Sequence, residues 1–376
     1  MFKLAWYNLL HDPIRLITAV TGVVLAVVLM VVQAAIFLGA IRSSSLLVRQ
    51  ADADLWLVPV STTNADFSAR IPERRRYQAL GVAGVERAGR MVVGFANWRF
   101  RSGRQESVIV VGIESDHPWL PLPMDRLSRL DRLDGVVMDQ REKFRFGTAG
   151  DPLAIGTRAE LGGHAVAVAG FTEGMNSFPI TPYVFMAHKR AADCVRMQPG
   201  ETVFVMIKCA PGADIGAVQR ELRRRIPEVE VLTRDEFARR SWHYWVLGTG
   251  MGMALGLSAA LALIVGMVVV GQTIFTGVLT KIREYGTLKA LGFSNRFIGG
   301  SVVIQSAIVG TAGYAIGLVA SALVVRYWGE GGTAVSMYAP AWMYLALIPL
   351  TAVMCTVSSL GAVWRALVLS PAEVFR

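Results

Sequence analysis

The sequence predicts a membrane protein: four transmembrane α-helices, one large α/β extracytoplasmic domain between the first and second, and a short cytoplasmic helix between the second and third. Three observations predict it. Only 18% of the 376 residues are charged and 53% are hydrophobic, against about 25% charged in an average soluble domain. Four windows carry no charge, Leu16 to Ile41, Val246 to Thr280, Phe297 to Val325 and Gly331 to Trp364. Each exceeds the roughly 20 residues that a helix needs to cross about 30 Å of hydrocarbon. Lysine and arginine, finally, gather in particular connectors, and that bias sets orientation.

The first span, 13–41, opens at Asp12 and Pro13, an N-cap followed by a proline whose missing donor costs nothing in the first turn. Residues 1–12 place Phe2, Trp6, Leu9 and Leu10 on one helical face and are expected to lie flat on the inner membrane surface. The apolar run is longer than the roughly 7 to 15 residues of a signal-peptide core, and no small-residue cleavage pattern follows, so an uncleaved span is expected.

Residues 42–242 are expected to form a mixed α/β domain outside the cytoplasm. Candidate strands are Leu55 to Val60, Met91 to Phe100, Ser107 to Ile113, Val136 to Met138 and a hairpin around Gly162 and Gly163. TVFVMIK, helical AVQRELRRRI and VEVL then make a β-α-β unit. One or two small subdomains are expected.

The stretch 243–280 is expected to combine a stalk with the second span, because about 35 apolar residues would make a helix of roughly 52 Å. Thr233 and Glu236 match a capping box that would start this long helix inside the outer domain. Gly252 and Gly256, like Gly313 and Gly317, have the small-xxx-small spacing that lets helices approach closely.

The connector 281–296 holds Lys281, Arg283, Lys289 and Arg296 against Glu284 alone and is assigned to the cytoplasm. After the third span, 297–325, the connector 326–340 has one arginine and one glutamate, as a periplasmic loop should. The fourth span, 341–364, leads to a cytoplasmic tail, 365–376, where Ser370 and Pro371 begin a short helix. Lys3, Arg15, Arg365 and Arg376 put both ends on the cytoplasmic side of the cell inner membrane.

Several chemistries lack a motif. No G-x-x-x-x-G-K-[ST] loop occurs to cradle nucleotide phosphates, the five histidines never fall at H-x-x-x-H spacing, and no G-x-S-x-G elbow occurs. No catalytic residue, cofactor or metal site is therefore assigned. The charge-free spans hold no Asp, Glu, Lys or Arg, the usual mark of ion relays, so energy for any transport should enter from outside them. The net charge of +10 comes from scattered arginines and accompanies no nucleic-acid-binding motif. Solvated faces account for it, with contact to anionic membrane lipids as the lesser alternative. Three cysteines exclude a disulfide scaffold; Cys194 and Cys209 are left open between a bond and two thiols.

The connector itself reads KIREYGTLKALGFSNRFIGG. Ile282, Tyr285, Leu288 and Leu291 recur every three residues, making a short amphipathic helix. Gly292 is placed as its C-cap, and Ser294 or Asn295 caps the next helix. This stretch resembles the cytoplasmic coupling segment of the FtsX/MacB-like ABC transporter permeases, the mechanotransmission (type VII) superfamily, with Arg283, Glu284, Gly286, Ala290 and Gly292 filling its R-E-x-G-x-x-x-A-x-G pattern. NLLHDPIRLITAVTGVVLA resembles the superfamily's opening and LSPAEVFR its ending; ADLWLVP, RRRYQALGVAGVE, VLTRDEFARRSWHYW and EYGTLKALGFSNRF are similar to the DevC-type permeases in particular.

The resemblance implies a homodimeric exporter permease whose coupling helix docks on a separate cytoplasmic ABC ATPase. Arg283, Glu284, Tyr285, Gly286, Lys289, Leu291 and Gly292 would make that contact. It further implies a HlyD-like periplasmic adaptor, a TolC-like outer-membrane channel and a lipid, glycolipid or other amphipathic substrate. Two alternatives stand beside it: an FtsX-like signalling scaffold that relays ATP hydrolysis to a periplasmic partner, and a haem or metal exporter with His117, Met124, His164 or Met175 as ligands, which no spacing supports.

Overall fold

The computed structural model describes residues 13–114, 116–122, 134–147, 152–175, 181–280, 282–330 and 337–368. Expectations for 1–12, Met124 and the Ser370–Pro371 cap lie outside them. The described residues divide into two compact units: a helical one drawn from Met1–Leu38, Met253–Trp328 and Met337–Arg376, and an α/β one drawn from Gly39–Gly252 and Gly329–Ser336.

The first helix, α1, runs Pro13–Ser43. In the α/β unit, α2 (Leu46–Gln50), β1 (Leu55–Pro59), β2 (Ile71–Pro72), α3 (Arg74–Leu80), β3 (Val85–Arg99), β4 (Gln105–Ile113) and β5 (Gly135–Asp139) follow. Next come β6 (Arg158–Leu161), β7 (His164–Thr172), β8 (Tyr183–Ala187), α4 (His188–Cys194), β9 (Glu201–Thr202), β10 (Phe204–Cys209), α5 (Ile215–Arg225), β11 (Val229–Thr233) and α6 (Arg234–His243). The main sheet has nine strands in the order β11-β1-β10-β3-β4-β8-β5-β7-β6, and β2 pairs with β9 separately.

Two substructures share β3. Its first half pairs with β10, Met91 opposite Phe204 and Ala88 opposite Ile207. Its second half pairs with β4 on one side and, through Trp98 and Arg99, with Leu161 and Glu160 of β6 on the other. Strands β3, β4, β8, β5, β7 and β6 therefore close into a six-stranded ring, which leaves no free edge along its circuit. Trp98, Val108, Val110, Val136, Met138, Val168, Val184 and Met186 fill one core with Phe146 and Leu153. The chain leaves the open sheet for the ring at Met91 and returns at Val203, whose N–H donates to the Met91 carbonyl at 3.2 Å.

The open part, β11-β1-β10-β3, contains the expected β-α-β unit in split form. Strands β10 and β11 both run antiparallel to β1, which lies between them. One face packs Leu55, Leu57, Val205, Ile207 and Val231 against Ala79 of α3 and Val218 and Leu222 of α5. The other gathers Trp56, Phe204, Met206, Leu232 and Phe237, where the rings of Trp56 and Phe237 meet edge to face at 5.4 Å. The Gly162–Gly163 turn has φ of 57° and 90°, the left-handed geometry of a two-residue hairpin.

The capping box at the head of α6 forms as the sequence indicates: Glu236 N–H donates to Thr233 Oγ1 at 3.2 Å and Thr233 N–H to Glu236 Oε2 at 2.8 Å. The single long helix expected beyond it does not. After α6 the backbone widens into a π-turn over Tyr244–Gly248 and breaks at Gly250, where φ is +72°. A new helix, α7 (Met251–Thr280), then begins. Local chemistry explains the break. Thr249 Oγ1 donates to the Trp245 carbonyl at 2.7 Å and accepts from Met251 N–H at 3.4 Å, an N-cap in the making. Glycines on both sides of Thr249 add the low helix propensity that lets it form.

The helical unit contains α7, the short α8 (Ile282–Ala290), α9 (Asn295–Glu330) and α10 (Ala341–Val368). Helices α1, α7, α9 and α10 each hold a segment long and apolar enough to cross a membrane. Helix α1 is central to their packing. A Cβ on Gly313 would lie 2.5 Å from Val23 Cβ, one on Gly317 2.9 Å from Val27 Cβ, and one on Gly266 2.8 Å from Ala26 Cβ. The Gly313/Gly317 spacing is thus used inside the chain, to seat α9 on α1. Gly252 lies against the Val246 carbonyl at the break, and Gly256 faces open space.

Candidate functional site

The connector between α7 and α9 is built around α8 and two caps. At its end, Phe293 N–H donates to the Leu288 carbonyl and Gly292 N–H to the Lys289 carbonyl, both at 3.1 Å. With Gly292 at φ +87°, this is a Schellman motif, and it answers the orphan carbonyls of the last turn. Ser294 then starts α9: its Oγ accepts from Phe297 N–H at 3.3 Å, and its carbonyl accepts from Ile298 N–H at 3.2 Å. The two caps confine the reversal of chain direction to a few residues.

Leu288 anchors α8. It packs against the cluster of Val278, Ile298 and Val302, on which Val363 of α10 also packs, so the connector is held on a core built from α7 and α9. Gly286 is buried. Arg283, Glu284 and Thr287 are exposed, and Thr287 Oγ1 donates back to the Arg283 carbonyl at 2.9 Å. Glu284 in the first turn and Lys289 in the last suit the helix dipole. Leu291, 71% exposed, stands beside the exposed Gly292. The structure thus places Arg283, Glu284, Leu291 and Gly292 on an outer surface, with Lys289 half-buried and Gly286 turned inward; the Tyr285 side chain lies outside the description. Phe293, 41% exposed and packed at a tilt against Phe297 with ring centres 4.8 Å apart, extends the apolar part of that surface. Sequence reasoning missed it, although an aromatic directly after a capping glycine was the available signal.

The alternative ligand residues do not converge. His117 is engaged by Asp52 at 3.0 Å and Arg87 at 2.7 Å, His164 lies 3.3 Å from Arg190, and Met175 is buried in an apolar core. Among the described residues no group of three or more His, Cys, Asp or Glu side chains could hold a metal ion. All three cysteines are free. Cys194 belongs to the core of the ring and Cys209 to that of the open sheet, and burial pushes the Cys194 thiol up to about 11.

Comparison with known proteins defines the class. Residues 16–225 match the family model of the MacB-like periplasmic core domain, and residues 244–371 that of the FtsX-like permease C-terminal region. The chain belongs to the FtsX/MacB-like ABC transporter permeases and is a multi-pass membrane protein of that family. An uncharacterized ABC transporter permease of Methanocaldococcus jannaschii, MJ1507, is 29% identical over 133 residues, which are 34% of this chain and 33% of that protein. The match thus spans about a third of the relative's length.

Among solved structures, the periplasmic region of MacB from Actinobacillus actinomycetemcomitans aligns with TM-score 0.38 and 8% identity, over 50% of this chain and 92% of that one. The extracellular domain of the noncanonic ABC-type transporter YknZ from Gram-positive bacteria aligns with TM-score 0.33 and 16% identity, over 48% and 99%.

Proposed function

We propose that this chain is the membrane subunit of an ATP-driven exporter and that α8 is the coupling helix that receives a separate cytoplasmic ABC ATPase. The observation that carries this reading is the division of α8 into a held side and a free side. Leu288 packs it on a cluster from α7 and α9 that Val363 of α10 shares, while Arg283, Glu284, Leu291 and Phe293 are exposed. A displacement imposed on the exposed side would therefore be passed to α7, α9 and α10 rather than absorbed locally. Glu284 supplies a charge for a basic partner group, and Leu291 and Phe293 supply apolar bulk for a groove, the pairing of anchor and rim common at protein interfaces.

The wider reading rests on the resemblance to DevC-type permeases. The protein would act as a homodimer in the cell inner membrane, with 1–12, 281–296 and 365–376 in the cytoplasm and the 42–242 domain in the periplasm. A HlyD-like adaptor and a TolC-like channel would complete a tripartite exporter, moving a lipid, glycolipid or other amphipath by mechanotransmission.

The test is ATPase activity of the cognate ATPase reconstituted with this chain. Glu284→Lys should abolish the stimulation that the wild-type chain gives, and Gly292→Ala should weaken it by straining the Schellman cap, while both variants still insert. Stimulation that survives Glu284→Lys would sink the assignment of α8.

A further inference from the structure

The mouth of the six-stranded ring contains a cavity of about 720 Å³, within the range of roughly 300 to 1,000 Å³ typical of small-molecule sites. It opens where β3 turns into β4 and where β6 begins. Its floor is apolar. Trp98 and Phe146, 1% and 2% exposed, meet edge to face at 5.6 Å, and Phe100 lies 5.6 Å from Phe146. Leu153 closes the floor and Ala154 and Ala159 line the wall.

Among the described residues that line the cavity the charged ones are Arg101, Arg104 and Arg158, and none is acidic. Arg104 is already committed: its guanidinium covers the Phe100 ring at 4.0 Å, donates to the Arg145 carbonyl at 2.8 Å and faces Glu106 at 3.5 Å. Arg101 and Arg158 are exposed at the rim. An apolar, low-dielectric floor below cations of one sign focuses a positive potential into the cavity. That combination suits a ligand with a hydrocarbon or ring at one end and an anion at the other.

We propose that the mouth of the ring binds a small amphipathic anion, a single apolar chain ending in a carboxylate or a phosphate. The chain lies on Trp98, Phe100, Phe146 and Leu153, and the head meets Arg101 and Arg158. The site is formed entirely within the α/β unit, so it stands or falls apart from the role given to α8.

The experiment uses the full chain held in an amphipathic polymer and a dodecanoic acid carrying a photoreactive diazirine, with labelled peptides located by mass spectrometry. Label is expected within 98–104 or 152–159. Excess dodecanoate or dodecyl phosphate should displace it, the stronger competitor identifying the preferred head, while dodecyl maltoside and dodecyltrimethylammonium should not.

The Arg101→Glu/Arg158→Glu double variant should lose label at this site at least about fivefold. Ala154→Trp, which fills the cavity without changing its charge, should do the same. Protection of β4 and β8 from hydrogen exchange, unchanged in both, reports that the ring of the variants is folded. Labelling confined to the membrane-spanning helices, displacement by the neutral or cationic amphiphile as readily as by the anions, or retention of label in either variant would overturn the proposal.

Discussion

The indole N–H of Trp245 donates to Asp66 Oδ2 at 2.7 Å, joining the π-turn below α6 to a carboxylate that is 2% exposed. Tyr183 donates its hydroxyl to the other oxygen. Burial nevertheless pushes the Asp66 carboxyl up to about 6, against the pull of both donors. The unfolded chain ionises this group near 3.8, so between pH 4 and 6 the folded protein holds a proton that the unfolded one has released. Stability from this site is highest below about pH 4, falls as pH rises to about 6 and is level above. Two pH units correspond to about 3 kcal/mol. Asp66→Asn removes the titration. Denaturant unfolding of both proteins from pH 4 to pH 7 should show the wild type losing about that much relative to the variant, and a difference that stays constant across the window contradicts this account.

The close seating of α9 on α1 gives a second expectation. Gly313→Ala places a methyl 2.5 Å from Val23 Cβ, and overpacking of this kind costs about 1 to 3 kcal/mol. Val23→Gly removes that Cβ and opens the same space. The double variant should therefore recover much of the loss, with a coupling of about 0.5 to 3 kcal/mol in a double-mutant cycle read by thermal unfolding. Gly361→Ala, at a glycine with nothing within 4 Å, is the control. Additive effects of the Gly313 and Val23 changes would show that the two helices do not meet there.

Two glycines four residues apart should respond with opposite signs. A Cβ on Gly252 would lie 2.1 Å from the Val246 carbonyl oxygen, and backbone cannot rotate away as a side chain can. Gly252→Ala should lower the unfolding temperature, by the equivalent of about 2 kcal/mol. Gly256 has open space around it, so Gly256→Ala should gain about 0.5 to 1 kcal/mol of helix stability. Equal effects at the two positions would mean that the break before α7 does not persist in solution.

Local features were the readable ones. Thr233 and Glu236 sit at the spacing a capping box needs, Gly162 and Gly163 supply the positive φ that their hairpin requires, and charge-free windows betray the long helices. Each of these acts over a few residues, so its signature lies in consecutive letters. Closure of the ring depends on Trp98 and Arg99 meeting Leu161 and Glu160, and nothing in either segment announces the other. Strand β3 was expected to start at Met91, but it starts at Val85: Glu86 and Arg87 are exposed and Arg90 is half-buried between Glu73 and Glu114, so the segment has no apolar run, while β10 supplies the pairing. An apolar run also says nothing of its own backbone, which hid the break at Gly250. Asp66 stands in STTNADFSAR, a polar stretch that reads as solvated loop; only the packing of Tyr183 and Trp245 around it shows a buried carboxylate.

Of the connector, the helix, its glycine cap and the exposure of Glu284 were legible; the parting of the Leu288–Leu291 stripe into an anchored and an exposed residue, the inward turn of Gly286 and the contribution of Phe293 were not. Exposure of Phe293 is decided by where Leu288 anchors, a matter of α7, α9 and α10 rather than of the twenty letters themselves.

The hydrogen bond from Val203 to Met91 gives the ring a doorway. Everything from β4 to α4 is threaded through one point where the outgoing and incoming chain are tied to each other, so the sheet behind them carries no record of how long the excursion is. Changes of loop length beyond that knot would leave β10, β1 and β11 in register. The arrangement lets the loops of the ring vary in length while the half that leads into α6 stays fixed.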